Sequence, residues 1–243
     1  MTNNSSIAPA LLPEGLRVYA IGDVHGCSGL LFALHRLIAQ DAAARPATRM
    51  VLLHLGDYVD RGPDSAAVIA RLLGPSPVAG MECVSLLGNH DAMMRDALAP
   101  GASDAAVRAW LANGGNETLR SYGASARDRG SWGRIPEPHR RFLAERPLIW
   151  SAGGYAFVHA GLRPGLPLAA QTEQDMLWIR QPFLSARPEA LPLVVVHGHT
   201  PALRPEILRH RIGIDTGAVY GGSLTCLVLE GGCYRLLSVG GPG

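Results

Sequence analysis

Arg17-Val18-Tyr19-Ala20-Ile21-Gly22-Asp23-Val24-His25-Gly26 is a short apolar run that stops in a polar cluster framed by glycine. The pattern returns twice. Met50 to Leu55 ends in Gly56-Asp57-Tyr58-Val59-Asp60-Arg61-Gly62, and Cys83 to Leu87 ends in Gly88-Asn89-His90-Asp91. Behind each cluster the apolar spacing changes to three and four, as in Leu30, Leu31, Leu34, Leu37 and Ile38, then Val68, Ile69, Leu72 and Leu73. Alternation of this kind predicts β-α-β-α-β-α, a parallel sheet with crossover helices. Its strands are buried on both faces, so they read as solid apolar runs. Polar clusters just past their carboxyl ends fall where open α/β sheets bind ligands.

Outward from this unit, Tyr155 to Val158 and Leu193 to Val196 are further apolar runs, ending in His159-Ala160-Gly161 and His197-Gly198-His199-Thr200. A helix is expected between them around Met176, Leu177 and Trp178. The tail alternates through Ile212 to Asp215, Leu224 to Leu229 and Tyr234 to Val239, with Gly231-Gly232 predicting a hairpin between the last two. Residues 1–15 read as a flexible arm, and residues 16–240 as a single domain with a helical lid or insert at about 100–146. Arg120 to Arg146 holds seven arginines against three acids, which suits either a lid that attracts anions or a plain solvated face.

The chain has 243 residues, 47% hydrophobic and 17% charged, enough apolar surface to exclude disorder for most of it. Net charge is +2, carried by 22 arginines and no lysine. That balance argues against a global nucleic-acid footprint. The lack of lysine excludes Schiff-base chemistry. Cys27, Cys83, Cys226 and Cys233 are spread without a CxxC pair, and neither a secretory signal nor a membrane-length apolar run is visible. A cytoplasmic protein with reduced thiols is expected.

Five strand ends carry Asp23, His25, Asp57, Asn89, His159 and His199. This mixed nitrogen and oxygen set, without cysteine, suits Mn, Fe or Zn. Six ligands are too many for one open catalytic ion; they suit two ions about 3.5–4 Å apart sharing a carboxylate, with Asp57 the natural bridge. Any one histidine is more often a packed side chain than a ligand, but here that bland reading has to hold at several strand ends at once. His35, His139 and His210 are expected on helix or strand surfaces without a role. His54, three residues before Asp57, is expected to face away from it.

The ordered set GDVHG, GDYVDRG, GNHD, HAG and HGHT resembles the phosphoprotein phosphatase branch of the calcineurin-like metallophosphoesterases, and within it the compact bacterial and phage serine/threonine protein phosphatases. The likeness runs from about Arg17 to Val239. It implies an α/β fold in which a β-sandwich is flanked by helices, with a helical lid segment. It implies two divalent metal ions, Mn being favoured over Fe or Zn, one on Asp23, His25 and Asp57 and the other on Asp57, Asn89, His159 and His199. A bridging hydroxide would attack phosphorus in line, His90 would act as general acid, and Asp60 would orient it. Arg61, and Arg180 in Trp178-Ile179-Arg180, would clamp the phosphoryl group. Pro201 stands where the wider superfamily has a further histidine ligand, so His197 is expected to pack rather than bind. Asn113-Gly114-Gly115 matches a loop of unassigned role, and Tyr220 falls in a loop that overhangs the site in relatives.

The expected partners are a phosphorylated protein or a small phosphoester, with no nucleic acid and no membrane; oligomeric state is not legible. A symmetrical diadenosine tetraphosphatase is the nearest alternative, since it shares GDVHGC and GNHD; Asp60 and the Trp-Ile-Arg stretch speak against it. A catalytically silent phosphoprotein-binding module ranks lower, because each motif position is filled.

Overall fold

The computed structural model describes residues 5–240. The strands are β1 (Ser6–Ile7), β2 (Leu16–Ile21), β3 (Arg49–His54), β4 (Glu82–Ser85), β5 (Ile149–Ala152), β6 (Tyr155–Val158), β7 (Val194–His197), β8 (Glu206–Ile207), β9 (Arg211–Gly213), β10 (Ser223–Glu230) and β11 (Cys233–Gly240). The α-helices are α1 (Ser28–Ala44), α2 (Ser65–Leu73), α3 (Asn89–Leu98), α4 (Asp104–Trp110), α5 (Asn116–Ser121), α6 (Glu137–Ala144) and α7 (Glu173–Trp178).

The strands form two sheets, ordered β1-β11-β10-β2-β3-β4 and β5-β6-β7-β9-β8. β2, β3 and β4 are parallel, as the alternating pattern predicts, and so are β6, β7 and β9. The remaining pairs are antiparallel, so each sheet is mixed. Strand side chains alternate between two destinations. Val18 and Ala20 of β2 pack with Val51, Leu53, Tyr155, Phe157, Val194, Val196 and Ile212 between the sheets, while Tyr19 and Ile21 join α1 and the other helices on the outer face. Likewise Val195 of β7 faces outward onto Met176, Ile179 and Phe183. Burial on both faces, worth about 1.5–3 kcal/mol for each large aliphatic side chain, is the reason these runs show no alternation.

Two features differ from the sequence expectation. The described part of the N-terminal arm is held: Ser6 and Ile7 pair with Tyr234 and Cys233, Leu12 enters the inter-sheet core, and the Ala10 N–H and C=O both bond the Tyr155 hydroxyl. Residues 1–4 lie outside the described residues. His35 is not on the surface; α1 turns it inward, where its Nε2 meets His54 Nε2 at 3.0 Å and Arg71 Nε–H donates to its Nδ1 at 3.1 Å. Of the 120–146 arginines, for which the sequence leaves a lid and a solvated face open, Arg120, Arg127, Arg129, Arg134 and Arg141 are exposed, and several bond the segment's own backbone. Arg140 donates to the carbonyls of Trp132 and Ile135, Arg146 to that of Phe142, and Arg134 to that of Gly123. No helix among the described residues is long and apolar enough to cross a membrane.

Candidate metal centre

The parallel strands of both sheets end on one side, and the polar clusters meet there. Asp23 and His25 follow β2; Asp57, Asp60 and Arg61 follow β3; Asn89 and His90 open α3 after β4; His159 follows β6 and His199 follows β7. Five non-glycine residues have positive φ among the described residues, and all belong to these loops: His25, Asp57, Asp60, Arg61 and His199. Left-handed backbone costs a non-glycine residue of order 1–3 kcal/mol and persists only where the surroundings impose it. Close approach adds to this at Gly88, where a Cβ would stand 2.1 Å from Asp57 N and 2.3 Å from its Oδ1.

Two donor groups result, one of His25, Asp57 and His90, the other of Asp57, His159 and His199. Asp57 is common to both. Its Oδ2 faces His25 Nε2 at 3.3 Å and its Oδ1 faces His159 Nε2 at 3.4 Å. Asn89 Oδ1 lies 2.8 Å from His159 Nε2 and 2.9 Å from His199 Nδ1. Asp23 stands apart from the tight groups: both its oxygens accept the His199 backbone N–H, at 3.2 and 3.0 Å, and Asp215 is its neighbour.

The tautomers show what the centre can hold. His25 Nδ1 is 2.8 Å from the Val59 carbonyl and His159 Nδ1 is 3.0 Å from that of Leu55. A carbonyl only accepts, so each Nδ1 carries the proton and each Nε2 presents a lone pair. Burial keeps these rings neutral: it pushes His25 down to about 4 and His199 to about 3, and lowers His159 as well. Asp57 is fully buried, which alone would raise its pKa, but the imidazoles of His159, His90, His25 and His199 hold it well below the usual carboxylate range. Lone pairs of neutral imidazoles thus face an ionised carboxylate, an arrangement that a cation reconciles. The backbone carbonyl behind each ring fixes orientation, as is usual for metal-binding histidines. The donor set fits divalent metal ions, with Asp57 shared between two.

His90 and Asp60 form a second unit. His90 Nδ1 lies 2.8 Å from Asp60 Oδ2, and both residues are buried. Arg61 and Arg180 stand exposed at the rim. Arg61 Nη1 donates to His25 Nε2 at 2.8 Å, and Arg180 Nη2 reaches the His199 carbonyl at 3.5 Å. Tyr220 is 65% exposed, with the Arg61 guanidinium 5.8 Å from its ring centre, so it overhangs the site rather than packing in the core. Trp178, 38% exposed, sets its ring edge-on to His199. His197 is turned away between Phe183 and Arg211, in accord with a packing role. His54 likewise faces His35.

The sequence reading missed Asp91. Its carboxylate accepts the Gly88 and Tyr58 N–H groups, both at 2.9 Å, and so ties the loop after β3 to the start of α3. Its place three residues after Gly88, where a helix-capping acid belongs, was the available signal. Trp110 and Thr118, which both reach Asp60, left no such signal.

Residues 16–223 match the family model for calcineurin-like phosphoesterases, and the chain belongs to that family of metal-dependent phosphoester hydrolases. Named relatives of the chain divide between two activities. The chain is 27% identical over 228 residues to an asymmetrical bis(5'-nucleosyl)-tetraphosphatase of Anoxybacillus flavithermus, covering 85% of this chain and 88% of that one. It is 29% identical over 218 residues to serine/threonine-protein phosphatase 1 of Salmonella typhimurium, covering 86% and 89%. A solved structure provisionally described as a diadenosine tetraphosphatase superposes with a TM-score of 0.65 at 28% identity, covering 93% of this chain and 94% of its own.

Proposed function

We propose that this hydrolase acts on phosphomonoesters of serine and threonine side chains, with His90 protonating the departing alkoxide. The observation that carries this reading is the buried Asp60–His90 pair. A serine or threonine alkoxide is a poor leaving group and gains most from a positioned proton donor. A phosphate released from an anhydride is already a stable anion and gains little.

Asp23, His25 and Asp57 would hold one divalent ion and Asp57, Asn89, His159 and His199 a second; when bound, such ions supply Lewis-acid charge and a water acidic enough to be a nucleophile near neutral pH. The donor set, three nitrogens and three oxygens without cysteine, is compatible with Mn, Fe and Zn, and Mn is proposed on the resemblance to the phosphatase branch. The chain's own residues do the rest. In the protonated ring Asp60 accepts the His90 Nδ1–H, and the Nε2–H passes to the leaving oxygen as its bond to phosphorus breaks, returning the ring to its neutral form. Arg61 and Arg180 each offer a planar fork that fits two phosphoryl oxygens, which a lysine could not. Charge on the equatorial oxygens is neutralised from both sides of the cleft. The cytoplasm, where phosphorylated proteins and free nucleotides both occur, is the expected place of action.

A second reading, hydrolysis of a dinucleoside polyphosphate, draws on the exposed faces of Trp178 and Tyr220, which could stack on bases. The test is the chelator-stripped protein, with Mn restored, on a phosphoserine peptide and on diadenosine tetraphosphate. Turnover of the peptide that falls about 100-fold or more in His90→Asn is expected. Turnover confined to the dinucleotide would replace the first reading with the second.

A further inference from the structure

Asn113-Gly114-Gly115 has no part in the chemistry above, yet it lies against Arg61, whose N–H donates to the Gly114 carbonyl at 3.4 Å. Trp110 closes α4 and Thr118 sits in α5. On a continuous helix, eight residues apart, they would be separated by about 12 Å along the axis. Here both reach one carboxylate oxygen: Asp60 Oδ1 accepts Trp110 Nε1–H at 2.9 Å and Thr118 Oγ1–H at 2.8 Å. The Asp60 N–H in turn donates to Thr118 Oγ1 at 2.8 Å, and Ser65 Oγ lies 3.2 Å from that hydroxyl. Asp60, Trp110 and Thr118 are all fully buried.

The turn Leu111–Gly115 makes this convergence possible. Gly114 has φ 109°, closed to residues with a side chain, and a Cβ on it would stand 2.6 Å from Arg61 N. A Cβ on Gly115 would stand 2.7 Å from the Trp110 indole. The glycine pair thus folds the segment tightly enough to press its backbone on Arg61 and to seat the indole over Asp60.

We infer that Trp110 and Thr118 are positioning residues for the proton donor, acting through Asp60, with the Gly114-Gly115 turn as the joint that delivers them. Their two donors occupy Oδ1, which fixes the carboxylate plane and leaves Oδ2 for His90. Fixation matters here because Asp60 has φ +71° and its loop would otherwise relax. On this account the 104–121 segment is part of the site's framework rather than a cover over it. The inference rests on the reading of His90 as proton donor.

The test is sensitivity to the leaving group in the Mn-loaded enzyme. p-Nitrophenyl phosphate, whose leaving group needs no proton, is compared with a phosphoserine peptide, whose leaving group does. Thr118→Val keeps shape and loses the donor; Trp110→Phe keeps most of the bulk. Each is expected to lose about tenfold or more in kcat on the peptide and less than about threefold on the aryl ester, while Thr118→Ser regains the peptide rate. His90→Asn, run alongside, is expected to discriminate in the same sense. Equal losses on both esters in Thr118→Val, or no loss on either, would overturn the inference. If His90→Asn discriminates and Thr118→Val does not, the inference alone fails; if His90→Asn does not discriminate, the proton-donor reading fails and takes the inference with it. Should Trp110→Phe not fold, the threonine series decides the matter.

Discussion

The buried His35–His54 contact makes a quantitative demand on stability. Arg71 Nε–H donates to His35 Nδ1, so the His35 proton resides on Nε2 and points at His54 Nε2. Burial first, and the neighbouring Arg71 charge second, push His35 down to about 4 from the ordinary 6.5. Below pH 6.5 the unfolded chain therefore takes up a proton that the folded chain refuses. Unfolding binds protons in this window, so stability falls with falling pH, and the loss levels off below about pH 4. At pH 5 the unfolded state gains a factor of about 30 from this one ring, or about 2 kcal/mol, whereas at pH 7.5 it gains almost nothing. The assay is urea unfolding at pH 7.5 and pH 5, with chelator present, of the natural chain and of His35→Gln. Buried histidines that do not touch His35 titrate in both proteins and cancel in the comparison, so the difference reports the His35–His54 pair. The natural chain should lose about 2 kcal/mol more than the variant between the two pH values. Equal losses would show that His35 accepts its proton in the folded state and that the Arg71–His35–His54 chain is wrongly drawn.

Two further outcomes concern the site. Asp57→Asn removes the one carboxylate common to both donor groups, so bound Mn, measured by equilibrium dialysis, should fall below the wild-type stoichiometry together with activity; full Mn binding in the variant would refute the bridging role. Excess Mn should raise the thermal midpoint of the natural chain, since an ion that binds only the folded state at 100 times its Kd adds about 2.7 kcal/mol, and His159→Ala should reduce that shift.

Much of this protein can be read from the chain alone. The solid runs at β2, β3, β6 and β7 are local signals of strands buried on both faces, β4 being a half-exposed edge strand, and Asp23, His25, Asp57, Asn89, His90, His159 and His199 stood out as candidates because each follows an apolar run. A strand end is defined by a few consecutive residues, so sequence is enough to find it. The two-residue hairpin at Gly231-Gly232 was visible for the same reason, its flanking residues Glu230 and Cys233 being paired across it.

What folding alone decided is which distant segments share a surface. Periodicity says that α1 has a buried face but not that His35 on it meets His54. The apolar residues of the N-terminal segment, Ile7, Ala8, Ala10, Leu11 and Leu12, are interrupted by Pro9 and Pro13 and show no strand or helix period, yet the segment crosses from β11 to the Tyr155 hydroxyl. The turn of Asp23 toward the His199 backbone, and the meeting of Trp110 and Thr118 on one oxygen of Asp60, depend on left-handed backbone and on a glycine turn whose effect is nonlocal. The sequence by itself determined which residue types stand at the strand ends; the tertiary structure determined which of them touch, because contact between remote residues is set by how sheets and helices pack and not by spacing along the chain.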